Sequence, residues 1–185
     1  NTLQAIALGD TALGSLKFLS YLYAKAKRPN DNKDVLKKIL ARLPDDINSW
    51  IELAKSYSQI DSLQSAVYAY NRAIDLDSNQ LASISFTLGL TYYQLAKYDS
   101  AVEMFSKKIR CDSLAAGAYF NRALAYIQLK KYDSARSDLE KGVKIKPDHV
   151  QGHLWLGQIY AFLNLKTKAK AEFNVVLKLD PKNKE

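Results

Sequence analysis

The sequence repeats itself at intervals of 34 or 35 residues, and this period limits the fold more than any other feature. The segment KYDSA occurs at 97–101 and again at 131–135. Five sets of similar residues keep the same phase along the chain. They are Ala66, Ala101, Ala135 and Ala169; Tyr57, Tyr92, Tyr126 and Tyr160; Ala54, Gly89, Ala123 and Gly157; Tyr70, Phe105, Leu139 and Phe173; and Pro44, Ser78, Ser113, Pro147 and Pro181. A fixed period of this size is typical of a stacked repeat array.

Apolar residues within a repeat follow the rhythm of a helix and not the alternation of a strand. Ala101, Phe105 and Ile109 are spaced four apart, which places them on one helix face. Asp99 and Asp133 lie where a second helix should begin, and a carboxylate there can accept from free backbone N–H groups. Each repeat is therefore predicted to be a helix–turn–helix unit.

The recurring residues resemble the signature of the tetratricopeptide repeat (TPR) family. In one repeat the signature residues are Trp50, Leu53, Ala54, Tyr57, Ala66, Tyr70 and Ala73. The resemblance implies an all-α fold, a right-handed superhelix of stacked helix–turn–helix (TPR) repeats, which is an α-solenoid. The predicted repeats are 47–80, 82–115, 116–149 and 150–183. Arg122 departs from the pattern, because the family has an apolar or small residue there.

The two ends of the sequence keep the period less well. Residues 13–46 are predicted to be a degenerate repeat with a shorter second helix and a longer turn, because Asn32 replaces the small residue. Residues 1–12 are predicted to be the tail of a preceding helix, so that 1–185 forms a single TPR array. The chain starts with Asn and ends without a polar capping helix. We therefore expect a piece of a longer protein or a processed form, and open helix ends that favour homo-oligomers.

Charge and composition set only weak limits on the binding partners and the cellular compartment of the protein. The net charge is +8, and residues 81–185 hold 17 Lys and Arg against 10 Asp and Glu, which gives +7. A solvated outer surface is favoured over attraction to nucleic acid or anionic lipid. No apolar run is long enough for a membrane span, and no signal peptide is visible. Localisation stays open: cytoplasmic, or periplasmic and cell-envelope if a signal peptide was removed.

The sequence offers no catalytic or metal-binding pattern. His149 and His153 are four apart but lack a third ligand nearby, and the seven glycines are scattered and do not form a phosphate loop. Asp99 and Asp133 are explained by the helix starts. We therefore predict no enzyme, no cofactor and no metal site.

The resemblance also implies a binding surface, because in the TPR family the first helix of each repeat lines a concave groove. The predicted groove residues are Lys55, Phe86, Tyr93, Gln94, Phe120, Asn121, Gln128, Trp155, Gln158 and Phe162. The apolar members suit an apolar segment or helix of another protein if Tyr93, Phe120 and Trp155 stay partly exposed. Asn121 and the glutamines can hydrogen-bond an extended backbone.

The predicted function is a non-catalytic scaffold that binds a protein or peptide segment in this groove. The family's carboxylate clamp for chaperone tails is not expected, because Thr87, Gly117 and Asn121 stand at its positions in the later repeats. Two alternatives stay open. An RNA-binding helical repeat fits the basic charge but not the scarcity of cations in the groove, so nucleic acid is disfavoured. A structural spacer or regulatory arm would bind nothing there.

Overall fold

The computed structural model describes residues 12–182, and this part of the chain is built from ten α-helices without a strand. The helices are α1 (Leu13–Lys25), α2 (Pro29–Leu40), α3 (Ile47–Gln59), α4 (Leu63–Leu76), α5 (Gln80–Gln94), α6 (Tyr98–Cys111), α7 (Ala116–Gln128), α8 (Tyr132–Ile145), α9 (Val150–Phe162) and α10 (Lys166–Leu179). They pair into successive helix–turn–helix hairpins, which confirms the predicted all-α repeat. The helix tail predicted at 1–12 lies outside the described residues, except for Ala12.

The chain divides into two compact units, Asn1–Ile84 and Ser85–Glu185, and the division falls inside α5. In the first unit, α1 packs on α2, α2 on α3, and α3 on α4. In the second unit, each helix from α6 to α10 packs on the next one along the chain. Among residues 12–182, no helix has the length and apolar character required to cross a membrane.

A buried polar cluster holds the first hairpin of the first unit to the next helix. Asn32 is 3% exposed, accepts a hydrogen bond from Ser20 Oγ at 2.6 Å and donates to Ser56 Oγ at 3.1 Å. Asn32 therefore fills the place of a small residue without leaving a buried amide unsatisfied. Helix α2 has 12 residues and α4 has 14, so the second helix is shorter, as expected. The turn 26–28 is no longer than the turn 60–62, so the expected longer turn is wrong.

Small residues on the first helix of a hairpin allow an aromatic ring of the second helix to approach. A Cβ atom at Gly89 would lie 2.7 Å from Phe105 Cε1, and one at Gly157 would lie 2.5 Å from Phe173 Cε1. Phe105 and Ala101 are both fully buried. The recurring small residues are therefore a requirement of helix pairing in the second unit.

The turns inside the hairpins share a left-handed residue. Positive φ angles between 52° and 59° occur at Lys27, Asp61, Ala96, Lys130 and Asn164. Asp61 is thus a turn residue, and the helix that follows begins after Ser62. Helices α6 and α8 begin after Lys97 and Lys131, so Asp99 and Asp133 lie in the first turn and not at the cap. There the two carboxylates face the positive end of the helix dipole.

Arg122 departs from the repeat pattern because it forms an ion pair inside the second unit. Its guanidinium donates to both carboxylate oxygens of Asp138 at 2.7 Å and to Ser106 Oγ at 2.9 Å. Asp138 is 5% exposed. The hydrogen bonds to Asp138 raise the pKa of Arg122. In the repeats 47–80 and 82–115 the equivalent positions hold the apolar residues Leu53 and Ala69, and Leu88 and Met104, whereas the last repeat has Leu156 and Glu172.

Replacing Gly89 by alanine should destabilise the protein, because the new methyl group meets the buried ring of Phe105. We expect the free energy of unfolding to fall by about 1–3 kcal/mol in urea denaturation. Gly14→Ala is the matched control, because a Cβ atom at Gly14 would meet nothing within 4 Å. That change should raise stability by about 0.5–1 kcal/mol. Equal effects of the two substitutions would contradict the packing described here.

Breaking the Arg122–Asp138 pair should cost more than replacing both residues. Asp138→Ala leaves a half-buried guanidinium without its partner and should lower the free energy of unfolding by about 3 kcal/mol. The double change Arg122→Leu and Asp138→Ala introduces the residues found at the equivalent positions Leu53 and Ala69. It should recover most of that loss in the same denaturation assay. A double variant as unstable as the sum of the single variants would contradict a direct interaction.

Candidate functional site

All predicted groove residues except Lys55 belong to the second unit. Lys55 is exposed on α3 in the first unit, and its Nζ lies 2.6 Å from Glu52 Oε1 on the same helix. The candidate site described below therefore consists of the first-helix face of the second unit, contributed by α5, α7 and α9. We call it the groove face.

Two contacts connect the α5 and α7 parts of the groove face. The ring of Phe86 lies against Gly117, where an added Cβ atom would be 3.6 Å from Phe86 Cζ. The Tyr93 side chain lies next to that of Gln128, and the Tyr93 ring meets the Tyr98 ring edge-on with centroids 5.4 Å apart. Burial, and then the neighbouring Tyr98, raises the pKa of Tyr93. Tyr93 is thus neutral at physiological pH and only partly exposed.

An aromatic cluster connects the α7 and α9 parts of the groove face. Phe120 stacks on the His149 ring with centroids 4.4 Å apart, and its edge meets Trp155 at 6.3 Å. Phe120 is 3% exposed, so the condition that it stays partly exposed is not met. Its ring occupies space left by glycine, because a Cβ atom at Gly152 would lie 2.7 Å from Phe120 Cε1. The buried Phe120 ring therefore packs against the Trp155 ring, and the Trp155 side chain remains half-buried.

The remaining predicted residues differ in how far they reach the surface. Gln94, Gln128 and Gln158 are exposed, and Phe162 is 63% exposed with its ring against Tyr132 at a centroid distance of 4.2 Å. The Asn121 side chain donates to the Gly117 carbonyl at 2.7 Å, so its amide nitrogen already has a partner.

The groove face carries no full charge from Asp, Glu, Lys or Arg. Its positions are Phe86, Thr87, Leu90, Tyr93, Gln94, Gly117, Phe120, Asn121, Leu124, Ile127, Gln128, Gln151, Leu154, Trp155, Gln158, Ala161 and Phe162. The basic excess of this part of the chain therefore lies on other surfaces. A face of this composition can bury apolar area and exchange amide hydrogen bonds, but it cannot attract a phosphate backbone.

Sequence reasoning missed the neighbours that fix the exposed rings. Tyr98 and Tyr132 begin the second helices, and His149 precedes α9. The signal for His149 was weak, because histidine is not among the preferred capping residues, yet its Nδ1 accepts from the Gly152 backbone N–H at 2.9 Å. His153 is also engaged: its two ring nitrogens lie 2.6 Å from Glu172 Oε2 and 2.9 Å from the Pro147 carbonyl. Within 12–182, no group of three or more potential metal ligands occurs.

The helical hairpins have counterparts among known proteins. The tetratricopeptide repeat family model matches residues 47–80, 82–110, 116–149 and 150–183. Among solved structures, MamA residues 41 to the end from Desulfovibrio magneticus RS-1 superposes with a TM-score of 0.87. That match has 17% identity and covers 95% of this chain and 99% of the MamA fragment, so the likeness concerns the fold.

Two curated relatives match only a part of their own length. Anaphase-promoting complex subunit 3 of Schizosaccharomyces pombe is 27% identical over 135 residues, which are 73% of this chain and 20% of the relative. Hsp70-Hsp90 organizing protein 3 of Arabidopsis thaliana is 32% identical over 97 residues, which are 52% of this chain and 17% of the relative. The chain thus spans about a fifth of the length of these proteins.

Acidification should weaken the fold through His149. Burial, and then the charge of Lys146, lowers the pKa of His149 below its ordinary value of 6.5. Because the folded-state pKa is the lower one, the stabilising contribution is complete above about pH 6.5 and is lost as the pH falls through the folded-state value. His149→Asn keeps a capping acceptor but does not titrate, so urea denaturation should show a smaller loss of stability below pH 6.5. An unchanged pH slope would contradict this role.

Proposed function

Because this chain belongs to the tetratricopeptide repeat family, we propose that it is a non-catalytic scaffold that binds a segment of a partner protein on the groove face. Stacked helical repeats provide extended binding surfaces of this kind. The supporting observation is a charge-free stripe on which half-buried and exposed aromatic rings alternate with exposed amides.

The aromatic rings of the groove face pack against other rings of the protein. The Trp155 ring packs edge-on with the buried Phe120 ring, and the Tyr93 ring packs edge-on with the Tyr98 ring. A rigid aromatic side chain loses little conformational entropy on binding, and aromatic residues dominate the energetics of many interfaces. These rings would therefore act as the anchors for apolar side chains of the partner.

The exposed glutamines favour a partner segment with an accessible backbone. Gln94 and Gln128 are 34 residues apart and occupy equivalent places on α5 and α7, and Gln158 lies on α9. Each amide offers two N–H donors and a carbonyl acceptor, which is the complement of an extended peptide. We therefore propose an uncharged, extended or partly extended apolar segment as the ligand.

The similarity to an Hsp70-Hsp90 organizing protein does not alter this proposal. A clamp for a terminal carboxylate needs cations on the groove face, and Thr87, Gly117 and Asn121 supply none. The same lack of cations disfavours an RNA ligand, whose binding depends on phosphate contacts. A spacer function would leave the groove face without any ligand.

The proposal can be tested with peptides selected from a random-sequence library against the whole chain. Binding to the groove face is followed by Trp155 fluorescence in a Trp50→Phe background, since the chain has two tryptophans. The dissociation constant should change less than about threefold between about 50 mM and about 500 mM NaCl. Tyr93→Ala should weaken binding at least about tenfold, because it removes an anchoring ring.

Tyr21→Ala is the matched control, because Tyr21 is a 53% exposed tyrosine on α1 of the first unit. It should leave the affinity unchanged. A steep loss of affinity with salt would favour a nucleic-acid or acidic ligand over an apolar segment. Equal losses of peptide affinity in Tyr93→Ala and Tyr21→Ala would contradict binding at the groove face.

A further inference from the structure

The first unit contains an aromatic cavity that the proposed function does not use. The cavity measures about 540 Å³ and lies between α2, α3 and α4. Its lining includes Leu40 from α2, Trp50, Leu53 and Tyr57 from α3, and Tyr68 from α4, and Lys37 stands beside them. We call this site the aromatic cavity. Its volume falls in the range of ordinary ligand pockets, about 300–1,000 Å³.

The aromatic cavity opens on the side of α3 that points away from the predicted groove. At about 100° per residue, Trp50 and Tyr57 lie within about 20° of each other around the helix axis. Lys55, the groove position of α3, lies about 140° from Trp50 on the same scale. The cavity is therefore a surface distinct from the groove positions.

The repeat framework does not require a tyrosine at position 68 of the cavity, although Trp50 and Tyr57 belong to the repeat signature. Tyr68 is 60% exposed, and the equivalent positions in the later repeats hold Glu103, Ser137 and Ala171. Because one position accepts these four side chains, helix pairing alone does not explain an exposed tyrosine. The exposed Tyr68 ring, which lines the cavity, is therefore available to contact a ligand.

The aromatic walls are held by contacts within the protein. The Trp50 and Tyr68 rings meet edge-on with centroids 6.0 Å apart, and Trp50 Nε1 donates to the Pro44 carbonyl at 2.7 Å. The cavity thus offers a fixed apolar surface, and little ordering entropy is lost when a side chain enters it.

Two cationic side chains, Lys37 and Arg72, lie beside the aromatic rings of the cavity. Lys37 Nζ lies 5.8 Å from the Tyr57 ring centre, and the Arg72 guanidinium lies 5.9 Å from the Trp50 ring. Arg72 also approaches Asp75 at 3.7 Å. Within the described part of the chain, Lys37 has no carboxylate at ion-pair distance. A carboxylate brought by a ligand would therefore meet a cation beside the apolar cavity.

We propose that the aromatic cavity binds an acidic segment of another protein, which inserts an apolar or aromatic side chain and places a carboxylate near Lys37. A chain segment suits this site, because one of its side chains can enter the apolar lining while a neighbouring carboxylate of the same segment meets Lys37 outside it.

Trp50 itself reports on this site. In a Trp155→Phe background it is the remaining tryptophan, because the chain has two. The probes are two acetylated, amidated hexapeptides, Glu-Glu-Leu-Phe-Glu-Glu and Lys-Lys-Leu-Phe-Lys-Lys. The acidic peptide should change Trp50 fluorescence and bind at least about tenfold more tightly than the basic one. In the Trp50→Phe protein, the acidic peptide should leave Trp155 fluorescence unchanged.

Lys37→Gln should weaken binding of the acidic peptide about threefold to tenfold, the effect of removing one charged contact. Lys38→Gln is the matched control, because Lys38 is an exposed lysine next to Lys37 that does not line the cavity. Tyr68→Ser introduces the residue found at position 137 and should abolish binding while circular dichroism stays unchanged. Both lysine variants lose one positive charge, so a weaker affinity in Lys37→Gln alone reports the loss of the charge beside the cavity and not a general loss of folding.

Three outcomes would overturn the proposal. The first is equal affinity for the acidic and basic peptides, or equal effects of Lys37→Gln and Lys38→Gln. The second is binding of free N-acetylphenylalanine as tight as that of the acidic peptide, which would identify a small-molecule site. The third is a response of Trp155 in place of Trp50, which would assign the peptide to the groove face. The groove proposal is tested separately, by Trp155 fluorescence with the library-selected peptides.

Discussion

The close approach of a glycine on the first helix to an aromatic ring on the second is the contact on which the second unit depends. At Gly89 and Gly157 the ring of Phe105 or Phe173 occupies the space that a Cβ atom would need. This contact fixes the rotation of the first helix about its own axis. The rotation in turn decides which side chains enter the core and which form the groove face. The proposed binding surface therefore follows from the way the helices pair.

The period of the sequence predicted the helices, their pairing and the small residues between them, because all three depend on local spacing. The extent to which individual side chains are buried could not be predicted from the period. Phe120 occupies a groove position in the repeat, yet it is buried because Gly142 and Gly152 leave space for its ring. The left-handed turn residues also escaped prediction, because Lys27, Ala96 and Lys130 are not types that favour positive φ. Long-range packing and backbone geometry decided both features.

Departures from the repeat pattern proved as informative as the pattern itself. Arg122 replaces a leucine and forms an ion pair with Asp138, and Asn32 replaces an alanine and joins two serines. Both are satisfied inside the fold and need no ligand. Tyr68 is the opposite case, because its ring is exposed and its equivalents are small or charged. A residue that breaks the repeat and lacks a structural reason is the better guide to a binding surface.

We propose that a partner segment binds the groove face of the second unit and not its basic second helices. The most direct measurement is a map of backbone amide NMR shifts as a library-selected apolar peptide is added to the whole chain. We expect the largest shifts on α5, α7 and α9, around Tyr93, Gln128 and Trp155. Shifts concentrated on α6, α8 and α10, among their lysines, would contradict it.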